Sequence, residues 1–150
     1  MGLSVDHLWL YNQNMTNNYL IDNSALFGWA NTKDRYHSVC KRFFEEHQND
    51  ELLFPIHSLF EFQASRSRKI KGGDFQGLPG NYRLKNKKFI DINRKLYDEC
   101  QRRGIFEKFK ELKGADLLYA CIAHIGKYTL VTCDSDFDAY RDDISLMKLS

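Results

Sequence analysis

Four short runs constrain this chain most: Tyr19-Leu20-Ile21, Glu51-Leu52-Leu53-Phe54, Phe89-Ile90-Asp91-Ile92 and Tyr128 to Cys133. In most of them apolar residues stand at consecutive positions instead of alternating. A strand that is apolar on both sides must be covered on both sides, and this is the mark of a parallel sheet between helical layers. The segments between the runs supply the helices. Asn23-Ser24 can cap a helix carrying Leu26, Phe27 and Trp29, and Arg35 to His47 sets Val39, Phe43 and Phe44 among charges. Ser58 to Ser65 reads as helix after Pro55. Asn93 opens another that Gly104 ends, and a short one runs from Phe106 to Leu112. Asp116 to Ile125 is apolar almost all round, which predicts a buried helix closed by Gly126. A helical turn at Asp136 to Tyr140 and a fifth short strand at Ile144 to Leu149 complete the series. The alternation predicts an α/β fold with right-handed crossovers.

Length and composition set the bounds. At 150 residues the chain makes one domain with a sizeable core, and 43% hydrophobic content with two prolines and nine glycines excludes a disordered or low-complexity protein. No apolar run approaches the ~18 residues that span a bilayer, and the N-terminus lacks the pattern of a secretory signal. The expectation is a cytoplasmic protein with no membrane partner. Cys40, Cys100, Cys121 and Cys133 show no metal-binding spacing and read as free, buried or half-buried thiols.

Net charge is +2, but it is unevenly spread. Arg66, Arg68, Lys69, Lys71, Arg83, Lys85, Lys87 and Lys88 are set against Asp74 alone, so this segment carries +7 and the remainder −5. A basic stretch on an acidic protein fits a polyanion such as RNA. The same stretch holds Gly72, Gly73, Gly77, Pro79 and Gly80 and so reads as a loop, an insertion at about residues 66–88. Residues 1–17 read as an N-terminal extension of unassigned role, and 18–150 as the domain proper.

In parallel α/β sheets the sites form beyond the carboxyl ends of the strands. Asp22 and Asp134 stand directly after two of the predicted strands. Asp116 opens the buried helix, Glu61 lies in the helix after the second strand, and Asp136 follows Asp134 by two residues. Singly, each has an ordinary role as turn former, cap or solvated acid. Together at one sheet edge they would repel unless a cation neutralised them, and oxygen-only ligands favour Mg²⁺ or Mn²⁺ over zinc. Such acidic cages suit phosphodiester hydrolysis. A nucleophilic triad is not favoured, because Ser24 and Ser58 lie in no Gly-x-Ser-x-Gly elbow. His57, four residues before Glu61, is weighed as an added ligand and set aside, and His124 reads as a packed or surface residue.

At these residues the chain resembles the PIN-domain nucleases, and more closely the VapC-type toxin ribonucleases. Three segments carry the likeness: Tyr19-Leu-Ile-Asp-Asn-Ser-Ala-Leu26; Phe54-Pro-Ile-His-Ser-Leu-Phe-Glu61; and Ala115-Asp-Leu-Leu-Tyr-Ala-Cys-Ile-Ala123 with Thr129-Leu-Val-Thr-Cys-Asp-Ser-Asp-Phe137. The resemblance implies a three-layer α/β/α fold on a five-stranded, mainly parallel sheet of order 3-2-1-4-5. It implies a Mg²⁺- or Mn²⁺-dependent endoribonuclease with Asp22, Glu61, Asp116 and Asp134 as metal acids and catalytic residues. Asp136 would be an additional metal acid, and Ser24 would support Asp22. It further implies an antitoxin partner, a homodimer, and the toxin role. A housekeeping RNA-processing nuclease and a non-catalytic RNA- or protein-binding module on the same fold remain the alternatives. The chain departs from the pattern in Asn23, where Thr is common, in the length before Asp22, and in the basic Gly-rich insertion.

Overall fold

A computed structural model of the chain describes residues 2–3, 18–69 and 87–150, with side chains at 18–64 and 87–150. The strands are β1 (Gly2–Leu3), β2 (Asn18–Ile21), β3 (Glu51–Pro55), β4 (Lys87–Ile90), β5 (Thr129–Thr132) and β6 (Ser145–Lys148). The helices are α1 (Asn23–Ala30), α2 (His37–Glu46), α3 (Ile56–Lys69), α4 (Arg94–Arg102), α5 (Ile105–Lys108) and α6 (Gly114–Gly126), with a 3₁₀ turn at Asp138–Tyr140. The strands form one sheet in the order β1-β4-β3-β2-β5-β6, and every described pair is parallel. Counted without β1, this is the expected order 3-2-1-4-5. The two-residue β1 adds an edge strand beside Phe89 and Ile90.

The consecutive apolar positions find their explanation in the two faces of the sheet. Leu20, Leu53, Ile90 and Leu130 point into one core, which Leu96, Ile105, Phe109 and the apolar side of α6 complete. Their neighbours Tyr19, Ile21, Leu52, Phe54 and Val131 point into the other core, against Leu26 and Trp29 of α1, Phe43 and Phe44 of α2, and Phe62 of α3. Side chains alternate along a strand, so each residue of β2 serves a different helical layer. Burying each of these large side chains is worth about 1.5–3 kcal/mol. The four cysteines are buried free thiols within these cores.

Several boundaries differ from the sequence expectation. β4 begins at Lys87 and stops at Ile90, because Lys87 and Lys88 pair in register with Leu52 and Leu53 and the Lys88 ammonium meets Glu51 at 2.8 Å. α3 reaches Lys69, so Arg66, Arg68 and Lys69 belong to a helix and not to a loop. The remaining basic positions of that stretch, Lys71, Arg83 and Lys85, lie outside the described residues. Asn93 caps α4 as expected, its side-chain oxygen accepting the Leu96 N–H at 3.1 Å, and Gly104, at φ 66°, follows the last turn of that helix. Gly126 closes α6 for a different reason, since a Cβ there would stand 2.1 Å from the buried ring of Tyr128. Among the described residues no helix is long and apolar enough to cross a membrane.

Candidate metal centre

β2 and β5 are neighbours, so the residues that follow them emerge side by side. The Asp22 N–H donates to the Val131 carbonyl at 3.0 Å, which extends the pairing one residue past β2. Asp22 occupies the N-cap position of α1, and its carbonyl accepts from Ala25 and Leu26. Its side chain makes no capping bond, nor do Asn23 and Ser24 cap the helix as their types suggest. Instead the Asp22 carboxylate, 4% exposed, receives two hydroxyls on Oδ2: Ser24 Oγ at 2.6 Å and Thr132 Oγ1 at 2.6 Å. Each hydroxyl has one proton to give and also accepts a backbone N–H. Ser24 accepts from Cys133 at 2.9 Å and Thr132 from Asp134 at 2.9 Å. These bonds fix the first acid to the turn that carries the second.

The turn after β5 closes on itself. Asp134 Oδ1 accepts the Asp136 N–H at 3.0 Å, an Asx-type bond that folds the chain so that both acids reach one place. Asp116 arrives from the first turn of α6. One ligand oxygen from each of Asp116, Asp134 and Asp136 lies within 4.8 Å of the others. Glu61, on the exposed side of α3, accepts a hydrogen bond from the Asn23 side-chain amide.

The electrostatics follow from this crowding. The Asp116 carboxyl is pushed up to about 6, first by burial and then by Asp22, Asp134, Asp136 and Glu61 in that order. Asp22 is raised chiefly by burial, against the lowering effect of its hydroxyl and backbone donors, with Asp134 raising it further. No lysine or arginine among the described residues forms an ion pair with any of the five acids. Converging oxygens that repel one another and lack a protein cation are what a hard divalent ion would bind. The donor set therefore fits a metal, with Asp116, Asp134 and Asp136 as the mutually closest ligands and Asp22 held behind them.

Three side chains beside the acids carry more of the site than their sequence context indicates. Thr132 is fully buried at the end of an apolar strand, yet it ties Asp22 to Asp134. Asn23, a departure from the family pattern, holds Glu61. His57 and Tyr119 pack ring to ring at 5.3 Å next to the acids. Burial lowers the His57 imidazole against the pull of Glu61 and Asp22, and raises the Tyr119 phenol, with Asp22 and Glu61 adding to the rise. The histidine Nδ1 and Nε2, the tyrosine hydroxyl and Asn23 Oδ1 are buried without a protein hydrogen-bond partner. His124 has a structural role, its Nδ1 lying 2.9 Å from the Asp143 carbonyl.

The family model for the PIN domain matches residues 19–143. The chain belongs to the PIN domain family. The match begins at β2 and ends before β6, and so includes every acid of the site. Among solved structures, the chain is similar to a chain of VapBC2 from Rickettsia felis, solved bound to a DNA fragment from their promoter. That likeness has a TM-score of 0.59 at 18% identity and covers 88% of this chain and 98% of the other. It is a likeness of fold. No curated protein sequence matches significantly.

Proposed function

We propose that this PIN-domain protein is a Mg²⁺- or Mn²⁺-dependent endoribonuclease and the toxin of a toxin–antitoxin pair, acting in the cytoplasm. The observation that carries the catalytic part is the convergence of Asp116, Asp134 and Asp136 within 4.8 Å, backed by a buried Asp22. A divalent ion held there would lower the pKa of a bound water and stabilise charge on a phosphate. The chain's own contribution is positional. Asp116, Asp134 and Asp136 would bind the ion directly. Asp22 adds negative charge from a position fixed by Ser24 and Thr132, and Glu61 is aimed by Asn23. The +7 stretch at residues 66–88 would hold the RNA backbone, with Lys88 less available because of its pair with Glu51. The toxin role, an antitoxin partner and a homodimer draw support from the sequence resemblance and from the fold shared with VapBC2.

The test is cleavage of structured RNA by the purified full chain with Mn²⁺, with EDTA, and with Asp116→Asn. Loss of cleavage in both the chelated and the substituted protein is the expected result. Cleavage indifferent to both would sink the reading.

A further inference from the structure

The acids do not stand on a flat surface. A cleft of about 840 Å³ opens beside them at the carboxyl end of the sheet, between the α1–α2 loop and the end of β6. Asp134 lines one end of it, so the cleft is continuous with the metal acids. Its walls bear three cations from separate segments: Lys33 and Arg35 on the loop, and Lys148 on β6. Asp34 shares the loop, but its side chain is engaged in the turn, where Oδ1 accepts the Tyr36 N–H at 2.8 Å. On the opposite wall Asp138 is bound by both Lys148 at 2.5 Å and Arg141 at 2.7 Å, so that group stays net positive. The cleft also holds aromatic surface. The Arg35 guanidinium lies 4.5 Å from the centroid of the Tyr36 ring, and Phe27 lines the cleft nearby.

Cations set beside stacking planes are the chemistry of single-stranded nucleic-acid grooves. Phosphates take the charges, and bases take the π-faces and the guanidinium. Taking the nuclease reading as its premise, we infer that a single RNA strand leaves the metal acids through this cleft, its phosphates on Lys33 and Lys148 and a base stacked at Arg35 and Tyr36. The path is separate from the basic segment at 66–88, so the strand is held on both sides of the cleavage point. Two handles of this kind fix the scissile phosphate in register better than one.

The experiment measures fluorescence anisotropy of a labelled oligouridine of about 12 nucleotides, a length within the span of known single-strand sites. The full chain is titrated in EDTA and in Ca²⁺ at several salt concentrations. Lys33→Ala/Arg35→Ala should weaken binding about tenfold or more, and lower the slope of log affinity against log salt by about 1.4, or 0.7 for each lost phosphate contact. Lys110→Ala, a surface charge after α5, should change neither. The thermal shift produced by Mn²⁺ should be the same in the double variant as in the unaltered protein, which shows that the acids and the fold are intact. Undiminished binding in the double variant overturns the inference. An equal loss in Lys110→Ala does so too, because the effect would then be one of net charge. Absence of affinity in both EDTA and Ca²⁺ also overturns it and assigns the cleft to a protein segment. Intact, cleft-dependent binding with no cleavage and no Mn²⁺ shift would instead strike the nuclease reading and leave the cleft standing.

Discussion

Replacing Asp116 by Asn should make the metal-free protein more stable, and the size of the gain follows from the crowding at the site. The Asp116 carboxyl stands at about 6 against an ordinary 3.8, raised by burial and by four neighbouring acids. A rise of that size corresponds to about 3 kcal/mol of unfavourable free energy once the group is ionised. Asp116 is only half-buried, so solvent screening removes about half of this. Its place in the first turn of α6 restores roughly 0.5 kcal/mol through the helix dipole, a benefit that asparagine loses. About 1 kcal/mol of net destabilisation remains in the native protein. The folded-state pKa is the higher one, so stability is greatest below about pH 4 and falls as pH rises through about 6. Between those values the unfolded chain releases its proton before the folded one does. The variant lacks this loss. In EDTA at pH 7.5 it should melt about 2–4 °C above the unaltered protein, and at pH 4 the two should coincide. Mn²⁺ should reverse the order. An ion at a hundred times its dissociation constant adds about 2.7 kcal/mol to the protein that binds it, and the variant has lost a ligand. Thermal melts followed by circular dichroism from pH 4 to 8, with and without Mn²⁺, read all of this. If Asp116→Asn melts lower in EDTA at pH 7.5, or if its advantage is the same at pH 4, carboxylate repulsion is not what shapes this site.

Other substitutions probe the supports. Thr132→Val keeps the shape but removes the donor to Asp22 and leaves the Asp134 N–H unpaired. Urea unfolding should show a loss of about 2 kcal/mol, and a loss under 0.5 would refute the bridge. Gly126→Ala drives a methyl into the ring of Tyr128, which is sealed in the core, and should cost about 2–3 kcal/mol in the same assay. An unchanged midpoint would mean that the ring moves freely. Asn93→Ala should cost about 1 kcal/mol through the lost cap on α4, read as a lower melting temperature.

The strands were legible for a definite reason. β2, β3 and β5 are buried on both faces, so burial itself writes consecutive apolar letters into Leu20-Ile21, Leu52-Leu53-Phe54 and Leu130-Val131. β4 is less regular. Lys87 and Lys88 enter the sheet because Leu52 and Leu53 offer them backbone partners, and backbone pairing leaves no mark in side-chain type. The two residues of β1 have no pattern at all, since a two-residue strand is set by its neighbour's edge. α6 shows the same limit from the other side. Its sequence is apolar almost throughout, yet Asp116, Leu117 and Leu118 are only half-buried, because its first turn projects towards the acids while the rest lies in the core.

The acids could be read from the chain because a carboxylate at the end of an apolar strand is conspicuous. Their supports could not, because they are polar groups of kinds that cores also use. A threonine in Leu-Val-Thr-Cys is indistinguishable from a β-former until its hydroxyl is seen on Asp22. A tyrosine in Leu-Leu-Tyr-Ala looks like any packed ring until its hydroxyl proves to have no protein partner. Among the described residues, five buried side-chain atoms lack a hydrogen bond, and four of them belong to Asn23, His57 and Tyr119. Each such atom costs about 1–3 kcal/mol, a large fraction of a domain's net stability, and chance would scatter them. Here they gather around the two acids, Asp22 and Glu61, that stand behind the metal ligands. A fold that concentrates its unmet polar demand at one end of one strand pair has given up stability there, and polar function is the reason folds do so. The placement of these orphans is thus an argument for the site that does not depend on the acids themselves.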